Sequence, residues 1–255
     1  NAYHVPNLRL ETAPTHAYVR IGWLRSVCNI FHAFAAQSFV HELAVAAGKD
    51  PKDFLLELIG PDRVIDLSRT IDPYFNYEDP IEKYPVDTSR LRHVTEEAAK
   101  LAQWGRPLKP GRGLGIAAHR SFLTYVATVV EVEVSANGDL QVIGMWTAAD
   151  AGTIVNLDAV TAQYEGGGIF GISCALGAIT ASAGRIDQSN FHDYRVARMT
   201  DTPLKVHLKV IESTAPPAGV GEPATPPAAP ALCNAIYAAC GKRIRSLPIG
   251  DQLKT

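Results

Sequence analysis

Between Asn29 and Gly48 the apolar residues Phe31, Phe34, Ala35, Phe39, Leu43 and Ala46 fall near one helical stripe. That spacing predicts a helix, with Asn29 as its N-cap and Gly48 at the C′ position. Asp50-Pro51 opens a short second helix through Ile59, with proline at the first helical position. Residues 60–85, rich in Pro, Asp and Tyr, read as a long surface loop suited to contacts with another chain. Thr88 to Trp104 is a third helix, carrying the strong helix formers of Thr95-Glu-Glu-Ala-Ala-Lys-Leu-Ala and a solvated charged face. Ahead of all three, residues 1–21 are irregular and extended, broken by Pro6 and Pro14.

Beyond Gly111 the period changes to two. Ala127 to Val134 alternates, Asn137-Gly138 is a type I′ hairpin signal, and Leu140 to Thr147 returns. Gly111-Arg-Gly-Leu-Gly115, which launches these strands, lacks the spacing and the Lys-Ser/Thr of a phosphate loop. A helical pattern from Leu157 to about Gly184 follows, interrupted by Gly166, Gly167 and Gly168. Each glycine there costs about 1 kcal/mol against alanine. The triplet therefore serves either a closely approaching ligand or tight helix packing. The stretch 166–184 is uncharged but holds six glycines, so it reads as a buried glycine-rich loop and helix rather than a membrane span. Leu204 to Ile211 alternates as a half-buried strand with His207 on its solvated side. Ala228 to Ala239 is a last helix, stopped by Gly241, with Lys242, Arg243 and Arg245 where cations complement a helix C-terminus. Strands and helices without strict βαβ repetition predict an α+β fold of mixed sheets with packed helices.

Composition changes little. The 255 residues suffice for a substantial core, and 47% hydrophobic and 20% charged residues are ordinary globular values. With 24 basic against 26 acidic residues, nothing points to nucleic acid. Cys28, Cys174, Cys233 and Cys240 form no CxxC or CxxCH, so they do not make an iron–sulfur, zinc or c-type haem site. None of the eight histidines has metal-ligand spacing, and no Ser/His/Asp order is convincing.

What remains is concentrated near the end of the chain. From Ser213 to Gly241 the one charged residue is Glu222, and six of the 17 prolines lie between Pro216 and Pro230. Pro223 restricts Glu222 to extended backbone, while Gly219 and Gly221 permit close or left-handed geometry beside it. A lone acid on a stiff apolar loop is either a base, because desolvation disfavours its charged form, or simply a solvated surface residue. Arg25, just before the first helix, opposes the helix dipole and is either exposed or held by a specific partner. Gln163 precedes the glycine triplet. The residues alone describe a base-bearing ligand site with an unidentified cofactor.

Four ordered motifs add a resemblance that covers nearly the whole chain. Gly219-Val-Gly-Glu222-Pro, with Pro227-x-x-Pro230-Ala-Leu-x-Asn-Ala-Ile and Gly241-Lys-Arg-Ile-Arg-Ser-Leu-Pro downstream, resembles the end of molybdenum hydroxylase large subunits. These form the xanthine oxidase/aldehyde oxidoreductase superfamily, and the likeness is to its isoquinoline 1-oxidoreductase beta-subunit type. Gly22-Trp-Leu-Arg25-Ser-Val resembles that family's active-site arginine segment. Asp150-Ala-Gly-Thr-Ile-Val-Asn156 and Gln163-Tyr-Glu-Gly-Gly-Gly-Ile-Phe-Gly171 resemble its cofactor-binding segment.

The resemblance implies an oxidoreductase that hydroxylates an aldehyde or N-heteroaromatic substrate with oxygen from water. It implies a molybdenum–pyranopterin cofactor in the cytosine dinucleotide form, and iron–sulfur clusters on a partner chain that takes the electrons. Glu222 would be the base and Arg25 would stabilise anionic charge developing on the substrate. The Gly221 N–H would lie near a molybdenum oxygen, with Val220 also binding the cofactor, and Gln163, Gly166 and Gly167 would lie by the pterin or its nucleotide. Residues 1–110 would form a helical and loop segment carrying Arg25, and 111–255 an α+β cofactor-binding segment carrying the Glu222 loop. The chain departs from the family at Gln37, where an acid is usual, at His41, where Asp is frequent, and at Leu55, where Arg is common. The family's upstream glycine-rich cofactor loops do not occur here. The chain is accordingly expected to be the C-terminal part of a large subunit, assembling with the missing N-terminal part. The resemblance favours the periplasm and leaves the cytoplasm open. The rival expectation is a non-catalytic assembly or interaction protein that keeps the fold.

Overall fold

The computed structural model describes residues 3–16, 21–67 and 74–254. At its centre, β1 (Arg112–Ser121), β2 (Thr124–Val134) and β3 (Leu140–Asp150) form an antiparallel meander. After a small separate ribbon of β4 (Ala181–Ser182) and β5 (Arg185–Ile186), β6 (Lys205–Val210) joins β3 in parallel, giving a mixed sheet in the order β1-β2-β3-β6. Alternation along β2 separates two apolar faces. Val130, Val132 and Val134 face one core, and Tyr125, Ala127 and Val129 face the other. A sheet buried on both sides needs helices on both sides. Helix α5 (Ala228–Cys240) covers the first face, and α3 (Thr88–Leu101) the second, with α2 (Pro51–Ile59) packed on α3. Helix α1 (Asn29–Ala46) touches both α2 and α5, and α4 (Leu157–Leu176) lies beside α5. The architecture is the expected α+β, mixed-sheet one.

Several local expectations change. Gly113 and Gly115 lie at the start of β1 and seat α5: a Cβ on Gly115 would fall 2.2 Å from the Ala231 carbonyl oxygen. The Asn137-Gly138 hairpin forms, but not through a type I′ turn. Of the two residues, Gly138 alone has positive φ (83°), and its N–H donates to Ser135 O across a longer loop. The β1–β2 hairpin turns at Phe122 and Leu123, both at positive φ, without any Asn or Gly to signal it. Helix α4 stops at Leu176 rather than near Gly184, because Gly177 passes against the Arg195 carbonyl, where a Cβ would lie 2.1 Å from the oxygen.

Helix α1 is the largest surprise. Gly48 stops it in the left-handed region as expected, but Cys28 precedes its first residue and makes no side-chain cap, and Asn29 lies inside the helix. Most of its predicted stripe points outward, with Phe31 69% and Phe39 60% exposed and Phe34 alone packed against the core, while Gln37, Ser38 and His41 are buried. These polar groups turn inward because partners await two of them. Gln37 Oε1 accepts the Ala118 N–H at 3.0 Å, and His41 Nδ1 lies 2.9 Å from Arg243 Nη1. Arg243 and Arg245 beyond α5 thus serve α1, Arg245 pairing with Glu42 at 2.8 Å.

Part of the expected surface loop is pinned to the sheet. Asn76 is buried, donates to Tyr84 O at 3.0 Å and accepts from Arg120 Nη2 at 3.0 Å. The loop's residues 68–73 lie outside the described residues. Among the described residues no single helix is long and apolar enough to cross a membrane.

Candidate functional site

The proline-rich stretch is not a surface loop. Residues 223–230 are buried, and the backbone before them is laid along the sheet by a series of bonds. Ala218 N–H donates to Ala151 O at 2.9 Å, Gly219 N–H to Phe122 O at 3.0 Å, and Thr124 Oγ1 to Gly219 O at 2.6 Å. Gly219 is needed for this close passage, since a Cβ there would lie 2.9 Å from that of Phe122. Neither Gly219 nor Gly221 uses left-handed backbone. Val220 packs against the cluster of Val126, Ala149, Val160, Tyr164 and Ala224, which fixes the stretch from below.

The Asp150–Asn156 motif is anchored by a residue the sequence did not single out. Arg90 on α3 donates to both Asp150 oxygens, at 2.7 and 2.6 Å, and its guanidinium lies 4.6 Å from the centre of the Tyr125 ring. Burial pushes the Asp150 carboxyl up, but the Arg90 hydrogen bonds and charge outweigh it and hold the group below the ordinary carboxylate range. Further along, Asn156 caps α4 by accepting the Ala159 N–H at 2.9 Å, which sets the register of Gln163 and the glycine triplet.

These elements bring three distant segments together. Arg25 Nε donates to Gly221 O at 2.8 Å, and its Nη2 donates to Gly221 O, to Gln163 O at 3.1 Å and to Gln163 Oε1 at 2.9 Å. The cation ahead of α1 therefore does have specific partners, on the glutamate loop and on α4. Among the described residues its Nη1 bonds nothing, and the Gly221 N–H donates to nothing. Glu222 is half-buried rather than isolated. Its Oε1 accepts the Ser26 N–H at 2.8 Å, and its backbone oxygen accepts from Ser26 Oγ at 2.7 Å. Ser26, wholly buried, thus links the arginine to the glutamate.

The glycines divide by role. Gly171 is required by the chain's own packing, against backbone, while Gly167 and Gly168 lie against side chains. A Cβ on Gly167 would meet Ala224 at 3.0 Å and Arg25 Nη2 at 3.2 Å, one on Gly168 would meet Met145 at 2.4 Å, and one on Gly171 would meet Thr225 O at 2.6 Å. Thr225 Oγ1 also donates to Gly167 O at 3.0 Å, tying the loop to the helix. Gly166 and Gly221 differ: both are exposed, neither has positive φ, and a Cβ on either would meet nothing within 4 Å. Nothing in the chain's own packing requires glycine at these two positions, which flank Gln163 and Glu222.

A family model described as molybdopterin cofactor-binding domain matches residues 93–203. The chain is 29% identical to isoquinoline 1-oxidoreductase subunit beta of Brevundimonas diminuta, over 99% of this chain and 29% of that protein. It is 31% identical to the membrane-bound aldehyde dehydrogenase [pyrroloquinoline-quinone] of Gluconacetobacter polyoxogenes, over 97% of this chain and 31% of that protein. The chain thus spans about a third or less of the length of these relatives. Among solved structures, the aldehyde oxidoreductase of Desulfovibrio gigas shares the fold, with a TM-score of 0.63 at 15% identity over 89% of this chain and 40% of that one.

Proposed function

Starting from a chain that is related to the large subunits of the molybdenum hydroxylases and carries a match to their molybdopterin cofactor-binding domain, we propose that it supplies the base and the anion-stabilising cation of a hydroxylase site. The substrate class is an aldehyde or an electron-poor N-heteroaromatic ring, and the inserted oxygen comes from water. The observation that carries this reading is the convergence of Arg25, Gln163 and the Glu222 loop on one exposed patch bordered by Gly166 and Gly221.

The patch fits a pyranopterin. Space beside Gly166 and Gly221 is open, the Gly221 N–H is free to donate, and Gln163 is exposed with its amide nitrogen unspent among the described residues. When bound, a molybdenum–pyranopterin, here proposed in its cytosine dinucleotide form, would supply the two-electron redox chemistry of the hydroxylation. The chain's residues do the rest. Glu222 Oε1 is occupied by the Ser26 N–H, so Oε2 is the atom left to take a proton. Arg25 is fixed through Nε and Nη2, and its Nη1 donors are available to anionic charge on the substrate. A cation already oriented in this way needs no rearrangement as charge develops.

The site is completed by other polypeptide. Phe31, Phe39 and Leu43 form an exposed apolar stripe on α1, and Trp23, beside Arg25, is 88% exposed. Contiguous apolar surface of this kind marks an interface. We assign it to polypeptide equivalent to the rest of the relatives' length, with an iron–sulfur subunit receiving the electrons. Replacement of Glu222 tests the reading in the assembled enzyme. Glu222→Gln retains molybdenum while turnover of an aldehyde and N-heterocycle panel falls at least 10²–10⁴-fold, the worth of a general base. Retention of most activity, or the absence of label in the product after turnover in labelled water, refutes it.

A further inference from the structure

We infer that Asn29 and His119 are positioning residues that hold the Glu222 carboxylate in place through Ser26. The inference rests on the hydroxylase reading for its catalytic consequence, though not for its geometry. Ser26 and Val27 are consecutive residues in the left-handed region, with φ of 72° and 50°. That conformation is uncommon for any side-chain-bearing residue and a genuine outlier for β-branched valine. Such backbone persists only where its surroundings over-determine it.

Here the surroundings can be named. Ser26 is fully buried, and its N–H and hydroxyl both donate to Glu222, at 2.8 and 2.7 Å. Its carbonyl oxygen accepts from the Asn29 backbone N–H at 3.0 Å and from Asn29 Nδ2 at 3.1 Å. With Nδ2 committed to a carbonyl, the other end of the amide must be an acceptor. Asn29 Oδ1 faces His119 Nε2 at 3.1 Å, so His119 carries its proton on Nε2 and donates. His119 sits on β1, paired opposite Val126 of β2. A path of hydrogen bonds therefore runs from the rigid sheet through His119, Asn29 and Ser26 to the base. Asn29 serves this path instead of capping α1, and the imidazole, pushed down to about 4 by burial and by nearby His32 and Arg120, stays a neutral donor.

Hydrogen–deuterium exchange of the assembled enzyme, read at the Ser26 and Val27 amides, tests the link alongside kinetics. His119→Leu removes the donor, and His119→Gln restores one. Asn29→Asp keeps the acceptor for His119 and suits a helix N-terminus, but its side chain cannot donate to Ser26 O, where only the backbone N–H bond remains, so it reads the link should His119→Leu fail to assemble. Exchange at this turn rises by about tenfold in His119→Leu and Asn29→Asp, the loss of roughly one net hydrogen bond, with remote segments unchanged. In both variants kcat falls by roughly 10–100-fold, as expected of a misplaced catalytic group, with KM little altered, and His119→Gln recovers most of the loss. Unchanged exchange at the turn, an increase spread over the whole chain, or no recovery by glutamine overturns the inference. If exchange responds as stated while Glu222→Gln keeps its turnover, the positioning path stands and the hydroxylase reading fails.

Discussion

Replacing His41 by asparagine should remove about half of this chain's sensitivity to mild acid. His41 is 4% exposed on α1, with its Nδ1 2.9 Å from Arg243 Nη1 and its ring edge-on to Tyr237 at 5.6 Å. A guanidinium only donates, so Nδ1 accepts and the imidazole is neutral. Burial first, then the Arg243 charge, pushes it down to about 4, against weaker upward pulls from Glu42 and Asp50. An unfolded histidine titrates near about 6.5. Between those values the unfolded chain binds a proton that the folded chain refuses, so stability is full above about 6.5 and falls as pH drops toward 4. The slope is at most about 1.36 kcal/mol per pH unit, which gives a loss of about 2 kcal/mol between pH 7 and 5. His119, also held near 4 by burial, adds a loss of the same sign. Asparagine keeps an acceptor for Arg243 but cannot titrate. His41→Asn should cost roughly 1–2 kcal/mol at pH 7, for the lost ring packing against Tyr237. Its deficit should shrink to roughly nothing at pH 5 as the parent loses its own stability. Urea unfolding followed by circular dichroism from pH 4.5 to 8 measures both curves. Parallel curves across that range would show that His41 is not a buried neutral acceptor.

The division among glycines makes a second, opposed pair of predictions. Gly166→Ala should raise the chain's melting temperature through about 1 kcal/mol of helix propensity while lowering the assembled enzyme's molybdenum content. Gly171→Ala should instead destabilise by roughly 1–3 kcal/mol, because its Cβ meets the Thr225 oxygen and the Ala228 Cβ. Equal behaviour of the two in melting and metal analysis would remove the argument that Gly166 is kept for something outside the chain. On α1, Phe39→Glu should leave the chain's stability within about 0.5 kcal/mol and abolish co-elution with the rest of the enzyme in size-exclusion chromatography.

What the sequence made legible was local. Pro51 at a first helical position, Gly48 and Gly241 in the left-handed region and the strand pair around residues 127–147 all announce themselves within a few residues. Where the deciding contact was distant, pattern alone misled. Periodicity located the Phe31–Phe39–Leu43 stripe but carries no information on which face has a partner, and the buried face proved to be the one with polar residues, because Ala118 and Arg243 lie opposite. The glycines of β1 had no stated purpose because the helix that needs them is more than a hundred residues later. The turn at Phe122-Leu123 had no signal at all, since the two-residue hairpin imposes positive φ at both positions on residue types that do not favour it.

The site shows the same boundary from the other side. Arg25, Gln163 and Glu222 each stood out by composition or motif, and the structure brings their segments together. Ser26 and Arg90 did not, and Asn29 stood out only as an N-cap, because each acts through a bond to a residue 60 or more positions away or through backbone geometry that no residue type advertises. Chemistry that must be exposed to a ligand limits the residue types that can perform it, and therefore leaves a trace in the sequence. Positioning is met by any side chain of suitable reach, and leaves none. The N–H bond from Ser26 to Glu222 needs no particular side chain, though its hydroxyl adds a second, and the left-handed backbone it adopts with Val27 shows that the fold tolerates a costly conformation at this one point between the cation and the base. The cost falls where the two groups must be held in a fixed relation. That is where strain is expected if the pair acts together.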